Sequence, residues 1–204
     1  MTSLSVLACS PRRVLVAALC VLIASCGGGG DSPAGGTATS AAPPPTAPAA
    51  SAAAAVTGST CNLPDFRASL LARINRVRAS GADCGADGVF GAAAPLVWND
   101  KLTLAAEGHS QDMAMKNYFS HTSADGRTLA DRVNATGYSW SSLGENIAAG
   151  YPGVNAVMDG WIASPGHCAN LMNAGFAEVG VTCVPGAAGA TYPTYWTMDL
   201  GRPR

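Results

Sequence analysis

Two long segments of the chain carry apolar residues at helical spacing. In the first segment, the apolar positions three or four residues apart are Leu70, Leu71, Ile74 and Val77. This spacing predicts a helix, and Asn62 followed by Asp65 is typical of a capped helix start. We therefore expect the first helix to begin just after Asn62 and to end near Ala79.

The second segment predicts a helix that begins after Asn99 or Asp100 and ends near Asn117. One face of this helix carries a stripe formed by Leu102, Ala105, Ala106, His109 and Met113. Because its neighbours on the stripe are alanine and methionine, we interpret His109 as a core histidine rather than a ligand.

Shorter elements follow in the second half of the chain. Helical candidates are residues 129–135, 154–162 and 165–172, and the last of these opens with a proline, which is well tolerated in a first helical turn. Residues 178–184 and 191–200 are rich in β-branched and aromatic side chains and predict an antiparallel hairpin. Helices followed by such a hairpin predict an α+β layered domain.

The N-terminus has the pattern of an export signal. Two arginines precede an apolar run at residues 14–23, which is shorter than the roughly 20 residues that span a bilayer. The run leads into Ile-Ala-Ser-Cys at residues 23–26, which resembles a bacterial lipobox. We therefore predict a lipoprotein-type signal peptide at residues 1–25, and Cys26 as the acylated residue that anchors the protein to a membrane. An ordinary cleaved signal, which would release the protein, is the alternative.

Residues 26–60 contain the predicted lipidated cysteine and a linker of Gly, Ala, Pro, Ser and Thr with one charge, Asp31. A flexible coil of this length reaches roughly 30 to 35 Å. Residues 61–204 are left as one domain of ordinary size. Without the signal, the chain keeps ten basic and thirteen acidic residues, a net charge of about minus three. This balance excludes the basic surface that nucleic-acid binders need.

Four cysteines of the domain form an even set, namely Cys61, Cys84, Cys168 and Cys183. In an exported domain such a set predicts two disulfides rather than a reactive thiol at Cys168. Nearness in sequence favours the pairs Cys168–Cys183 and Cys61–Cys84, although the residues alone leave the connectivity open.

Four motifs occur in a fixed order along the domain. They are FSH at 119–121, GENIA at 144–148, SPGHCANLM at 164–172 and YWTMDLGRP at 195–203. Glycines and small polar residues surround the histidines and the glutamate of these motifs, which suggests tight turns. The series resembles the CAP superfamily (cysteine-rich secretory proteins, antigen 5 and pathogenesis-related 1 proteins; the SCP domain) over roughly residues 62–202. This resemblance implies a three-layer α-β-α sandwich with a small antiparallel sheet and a ligand groove.

A further stretch after the first motif also resembles bacterial members of the superfamily. It contains Asp125, Gly126 and Arg132. A turn at Asp125-Gly126 followed by an ion pair on a helix is the simplest interpretation.

The resemblance also implies a cleft that binds a divalent cation through two histidines and two glutamates. By motif position His121, Glu145 and His167 match three of these residues, with His121 and His167 as the metal ligands for Zn²⁺, Mg²⁺ or Ca²⁺. The second glutamate is missing, and Ser164 is the residue nearest to its place. The alternative is that His121 caps or bonds within the core and that Glu145 is a polar anchor. Asn146 is counted with the cleft, although a buried asparagine often satisfies backbone groups.

Three functional hypotheses follow from the resemblance. The first is an exported, lipid-anchored binding module for an unidentified envelope or extracellular ligand. The second is a metal-dependent hydrolase or peptidase in which His121 and His167 place the cation and Glu145 is the catalytic general base. The third is a protein that captures sterol or fatty acid. The common hydrolase motifs HExxH and GxSxG are absent from the sequence, which favours a module that is not an enzyme.

Overall fold

The computed structural model describes residues 58–204. The predicted signal peptide, Cys26 and the linker up to residue 57 lie outside the described residues. None of the helices in residues 58–204 combines the length and the apolar character that crossing a membrane requires.

Within residues 58–204 the chain forms five α-helices and six strands. The helices are α1 (Phe66–Ser80), α2 (Asp100–Lys116), α3 (Leu129–Ala135), α4 (Val154–Ala163) and α5 (Pro165–Met172), with a 3₁₀ turn at Gly85–Asp87. The strands are β1 (Ala82–Asp83), β2 (Val89–Phe90), β3 (Val97–Trp98), β4 (Trp140–Ala149), β5 (Glu178–Pro185) and β6 (Thr194–Pro203).

Helix α2 confirms the second predicted helix. The side chain of Asn99 caps it by accepting hydrogen bonds from the backbone N–H groups of Lys101 (2.9 Å) and Leu102 (3.2 Å). Every residue of the predicted apolar stripe is buried, including His109. The predicted bounds of α3 and α5 are also confirmed, and α4 is one residue longer than expected.

The start of α1 differs from the prediction. The helix begins at Phe66, and Asp65 precedes it in the left-handed conformation (φ 48°) without a side-chain capping bond. Asn62 is left-handed too (φ 57°) and lies outside the helix. The reason lies in tertiary contacts, because the N–H of Cys61 donates to the carbonyl of Cys183 (3.0 Å) and holds this segment beside β5.

The sheet contains the predicted hairpin and two strands that the sequence pattern did not reveal. The strand order is β3-β5-β6-β4, and β5 and β6 pair antiparallel as expected. Strand β4, which carries the GENIA motif, pairs antiparallel with β6 and forms one edge. The two-residue strand β3 adds parallel to β5 at the other edge, so the sheet is mixed there. The expected turn around Gly144 is therefore wrong, because this residue lies inside a long strand.

Helices cover both faces of the sheet and complete the expected three-layer sandwich. Helix α2 lies on one face with α3, whereas α1, α4 and α5 lie on the other. The larger core is on the second face and includes Phe66, Ile74, Trp161, Leu171, Trp196 and Met198. On the first face α2 approaches closely at Gly180, where an added Cβ would lie 2.2 Å from the backbone nitrogen of Thr103.

The two disulfides are present, but the pairing favoured by nearness in sequence is wrong. Cys61 is bonded to Cys183 and Cys84 to Cys168. The first bond follows from the bridge between Thr60 and Cys183, which places the start of the domain against β5. The second ties the 3₁₀ turn to α5, the helix that carries His167.

We expect each disulfide to stabilise the domain to a similar extent, because the cost of closing a loop depends only on the logarithm of its length. Cys84→Ala/Cys168→Ala and Cys61→Ala/Cys183→Ala should each lower the free energy of unfolding by about 2 to 5 kcal/mol. Urea denaturation under non-reducing conditions measures this loss, with Cys26→Ala as the control that leaves it unchanged. Peptide mapping that recovers a Cys168–Cys183 pair would contradict the assignment.

Candidate functional site

A loop between α2 and α3 carries His121. It begins at Asn117, which ends α2 in the left-handed conformation (φ 51°). Asp112 of α2 holds the loop, because its carboxylate accepts from the hydroxyl of Tyr118 (2.5 Å) and from the N–H of Ala124 (3.1 Å). Burial opposes the charge of Asp112, but hydrogen bonds from Lys116, Tyr118 and Ala124 outweigh it and lower its pKa to about 2.

His109 of α2 also holds this loop, through a hydrogen bond to its backbone. Its side chain is fully buried, with Nε2 2.9 Å from the carbonyl oxygen of Ser120. Burial lowers the pKa of His109, so the neutral imidazole is favoured and Nε2 is the donor to this carbonyl. The interpretation of His109 as a core histidine is confirmed.

Glu145 connects this loop to the sheet. Its carboxylate is almost fully buried, and Oε1 lies 2.7 Å from Nδ1 of His121. The other oxygen, Oε2, accepts from the guanidinium of Arg132 (2.5 Å). Burial opposes ionisation of Glu145, but the bond from His121 and the charge of Arg132 outweigh it, so the pKa of Glu145 is lowered. A carboxylate can only accept here, hence Nδ1 of His121 carries the proton and Nε2 is left as the free nitrogen of the ring.

Arg132 on α3 forms hydrogen bonds both to Glu145 and to the loop that carries His121. Besides its bond to Glu145, its Nη1 donates to the carbonyls of His121 (3.1 Å) and Arg127 (3.2 Å) and to the hydroxyl of Ser123 (3.2 Å). The sequence predicted an ion pair on the helix after the turn at Gly126. Arg132 of this helix does form an ion pair, but its partner Glu145 lies on β4, 13 positions away, and not on the helix.

Asp199 is an unexpected acidic neighbour of Glu145. It lies directly opposite Glu145 on β6, is fully buried, and has no hydrogen-bond partner for either oxygen within residues 58–204. Burial, and then the charge of Glu145, raise the pKa of Asp199 well above its ordinary value. The uncharged form of Asp199 is therefore favoured beside the charged pair of Glu145 and Arg132. The sequence motif that contains Asp199 carried no signal of this role.

His167 lies on the opposite side of the site, in the first turn of α5. Asn146 of β4 donates to the carbonyl of His167 (3.0 Å). Asn170, one turn further along α5, donates to the carbonyl of Glu145 (3.2 Å) and to Oδ1 of Asn146 (3.0 Å). These amides fasten α5 to β4. Burial, followed by the nearby His121, lowers the pKa of His167, which favours its neutral form at pH 7.

The two histidines line a common cleft of about 500 Å³. Its other walls include Phe119, Tyr151, Trp161, Ser164 and Tyr192. The structure thus brings together three of the predicted cleft residues, His121, Ser164 and His167. Glu145 and Asn146 are buried behind the cleft and do not line it. Glu145 and Asn146 instead position the walls of the cleft. Asn146 does so by satisfying a backbone carbonyl, which was the alternative role predicted for it.

Aromatic rings contribute more to the cleft than the sequence indicated. Phe119 and Tyr192 lie at its rim, 46% and 38% exposed, with ring centroids 6.1 Å apart. The motifs directed attention to the histidines and the glutamate of the site, and not to these rings. Only the exposure of the rim aromatics distinguishes them from core residues, and the sequence does not reveal exposure.

The cation implied by the resemblance requires donors that face the cleft. Both imidazoles do so, but the carboxylate oxygens of Glu145 are engaged by His121 and Arg132. Ser164 contributes only a hydroxyl, which is a poor ligand beside a carboxylate. Across the described part of the chain, no three His, Cys, Asp or Glu side chains group as potential metal ligands. The residues present therefore do not fit a Zn²⁺, Mg²⁺ or Ca²⁺ site with three protein ligands.

Fold and motif positions together define a CAP-type domain, and comparison with known proteins agrees. Residues 71–200 match the family model "CAP: Cysteine-rich secretory protein family", so the chain belongs to this family.

Two relatives from Bacillus subtilis (strain 168) are similar over part of the domain. The uncharacterized membrane protein YlbC is 39% identical over 88 residues, which is 43% of this chain and 25% of YlbC. The uncharacterized protein YkwD is 38% identical over 87 residues, 43% of this chain and 34% of YkwD. The chain therefore spans about a third or less of these relatives. An outer surface protein of Borrelia burgdorferi shares the fold, with a TM-score of 0.55, 19% identity, and coverage of 66% of this chain and 90% of that one.

Asp199→Asn should stabilise the protein at neutral pH. Between the ordinary pKa of aspartate and the raised pKa of Asp199, the folded state binds more protons than the unfolded state, so stability falls as the pH rises through this window. Because asparagine does not ionise, Asp199→Asn removes this loss of stability. The melting temperature at pH 7 should rise by on the order of 4 °C, the shift that about 1 kcal/mol produces in such a domain. Calorimetric melting should show the gain shrinking as the pH falls toward the ordinary value. The exposed change Asp87→Asn is the control, and equal gains in both variants would contradict the account.

Ser164→Glu should supply the missing carboxylate of the cleft. We expect weak Zn²⁺ binding to the wild-type protein and binding at least about tenfold tighter in the variant, equivalent to about 1.4 kcal/mol. Isothermal titration calorimetry measures both. Ser164→Gln has the same length without the charge and should bind like the wild type. Tight Zn²⁺ binding by the wild-type protein would show that its own residues suffice.

Proposed function

We propose that this protein is an exported CAP-domain binding module, anchored in the cell envelope through acylated Cys26, whose cleft binds an envelope or extracellular ligand. One observation carries the proposal. The two histidines that the motifs single out line one cleft of about 500 Å³ together with exposed aromatic rings. Concave sites with apolar walls and a few convergent polar groups are the usual form of ligand sites.

The cleft is suited to a ligand with both polar and apolar parts. Phe119 and Tyr192 offer exposed ring surface at the rim. His167 favours the neutral imidazole, and Nδ1 of His121 is engaged by Glu145. Each ring can therefore offer a nitrogen to a hydrogen-bonding group of the ligand without requiring that the ligand be charged.

Export and anchoring are supported by the N-terminal segment and by the disulfides of the domain. The N-terminal segment resembles a lipoprotein signal that ends at Cys26, and two disulfides are typical of an oxidising compartment. The relative YlbC is described as a membrane protein, which agrees with a place at the envelope. A linker between Cys26 and the domain would let the cleft face away from the lipid surface.

A hydrolase is the second candidate function, and one contact favours it. The hydrogen bond between Nδ1 of His121 and Glu145 leaves Nε2 of His121 as a basic nitrogen, the arrangement of a carboxylate-oriented general base. In this hypothesis His121 accepts the proton and Glu145 orients it, because Glu145 does not line the cleft. The two candidates differ in one result, since an enzyme converts the ligand that it binds.

The test of the proposal is ligand binding that depends on both histidines. Thermal shift and saturation-transfer NMR on the full-length protein would use oligosaccharides of N-acetylglucosamine, palmitate, cholesterol and blocked tripeptides as probes. At least one probe should bind, and His121→Ala/His167→Ala should weaken it by about tenfold or more, the loss of one to two hydrogen bonds. Arg76→Ala, an exposed change on α1 outside the cleft, is the matched control. Binding that survives the double substitution would place the ligand elsewhere, and product formation would favour the enzyme.

A further inference from the structure

The floor of the cleft is the open edge of the sheet. Strand β4 is the last strand in the order β3-β5-β6-β4, and Ile147, Ala148 and Ala149 line the cleft. In an antiparallel pair, the backbone groups of successive residues face alternately toward the partner strand and away from it. The N–H of Gly150 donates to the carbonyl of Thr194 next to β6, so the backbone groups of residues 145, 147 and 149 face away from the sheet.

Side chains from the neighbouring helices satisfy only part of this edge. Nδ2 of Asn170 donates to the carbonyl of Glu145, and Nε1 of Trp161 donates to the carbonyl of Ile147 (3.3 Å). Within residues 58–204, no side chain and no loop backbone group bonds to the N–H of Ile147, or to the N–H and the carbonyl of Ala149. The residues that carry these unpaired groups, Ile147 and Ala149, both line the cleft.

We propose that the cleft binds an extended polypeptide segment, which adds to β4 as a further antiparallel strand at Ile147 and Ala149. The inference rests on the proposed function and identifies the class of its ligand. Residues 147 and 149 present their groups at a spacing of about 7 Å, the two-residue repeat of a β-strand. A second β-strand has the same repeat. The N–H and the carbonyl of Ala149 can therefore both form hydrogen bonds with the backbone of one ligand residue.

The walls of the cleft suit the side chains of such a segment. A bound strand directs alternate side chains to opposite sides. His121 and Phe119 flank the edge from the loop after α2. On the other side Trp161 of α4 and His167 of α5 flank it. The edge supplies affinity through main-chain bonds, and the two walls supply selectivity.

The variant Ala149→Pro tests this inference, because it removes one N–H that faces the cleft and takes no bond from β6. Proline is tolerated on an edge strand at such a position. Ala149→Val is the matched control, since it adds a side chain of similar size and keeps the N–H. The probe is a phage-displayed random heptapeptide library selected on the immobilised full-length protein. The best heptapeptide is then synthesised with a fluorescent label for anisotropy titration.

We expect the heptapeptide to bind Ala149→Pro at least about tenfold more weakly than the wild type, the effect of one lost hydrogen bond and a steric block. Ala149→Val should stay within about threefold of the wild type, which is less than one such bond. N-methylation of single peptide nitrogens should weaken binding at alternate positions only, a signature of strand pairing that does not depend on any protein variant.

Four results would overturn the inference, and they separate it from the proposed function. Equal binding to Ala149→Pro, or an N-methylation series without alternation, excludes strand addition. If a saccharide or lipid probe binds through His121 and His167 and no heptapeptide is selected, the proposed function stands and a peptide ligand is excluded. A self-association that Ala149→Pro abolishes, again without heptapeptide binding, assigns the edge to a second copy of the chain.

Discussion

The buried ion pair between Arg132 and Glu145 is the interaction on which the site depends. Both side chains are nearly inaccessible, 2% and 3% exposed. Breaking a buried pair by removing one partner typically costs about 3 to 5 kcal/mol, because the remaining charge is left without compensation. Here the cost would extend beyond stability, since Arg132 also holds the loop that carries His121 and Glu145 orients its ring. One charged pair therefore joins α3, the loop and β4.

The opposite wall of the cleft is held by neutral groups. Asn146 and Asn170 link α5 to β4 through amide hydrogen bonds, and the Cys84–Cys168 disulfide fastens α5 from its other side. The two histidines are thus positioned independently, one by charge and one by amides and a covalent bond. Such support gives preorganised walls, which lower the ordering cost of binding.

The fold was largely predictable from the sequence because its long elements have strong local signals. Helix α2 has both a cap at Asn99 and a clear apolar stripe, and the hairpin of β5 and β6 is rich in β-branched residues. Strand β4 was missed because its motif contains Gly144, which suggested a turn. The glycine is instead required by packing, as an added Cβ would lie 2.7 Å from the ring of Phe176.

The site was predictable only in part, for a related reason. His121 and His167 were found through motifs, and both line the cleft. The roles of Arg132 and Asp199 depend on contacts across strands and helices that no local pattern encodes. The disulfide pairing failed in the same way, because Cys61 reaches Cys183 through the sheet register rather than through proximity in sequence.

An open sheet edge is a liability that proteins usually cover, charge or interrupt. This domain covers the edge at Glu145 with Asn170 and at the carbonyl of Ile147 with Trp161, using side chains of α4 and α5. The cover over the edge ends where the cleft opens. Residues 147–149 contain no Lys, no Pro and no β-bulge, any of which would have blocked the edge there. The same strand also carries Glu145, so the open edge and the buried charges belong to one element. A ligand that pairs with this edge would lie against a strand that is already paired with β6 and bonded to Arg132 of α3, so it would not have to order the strand on binding.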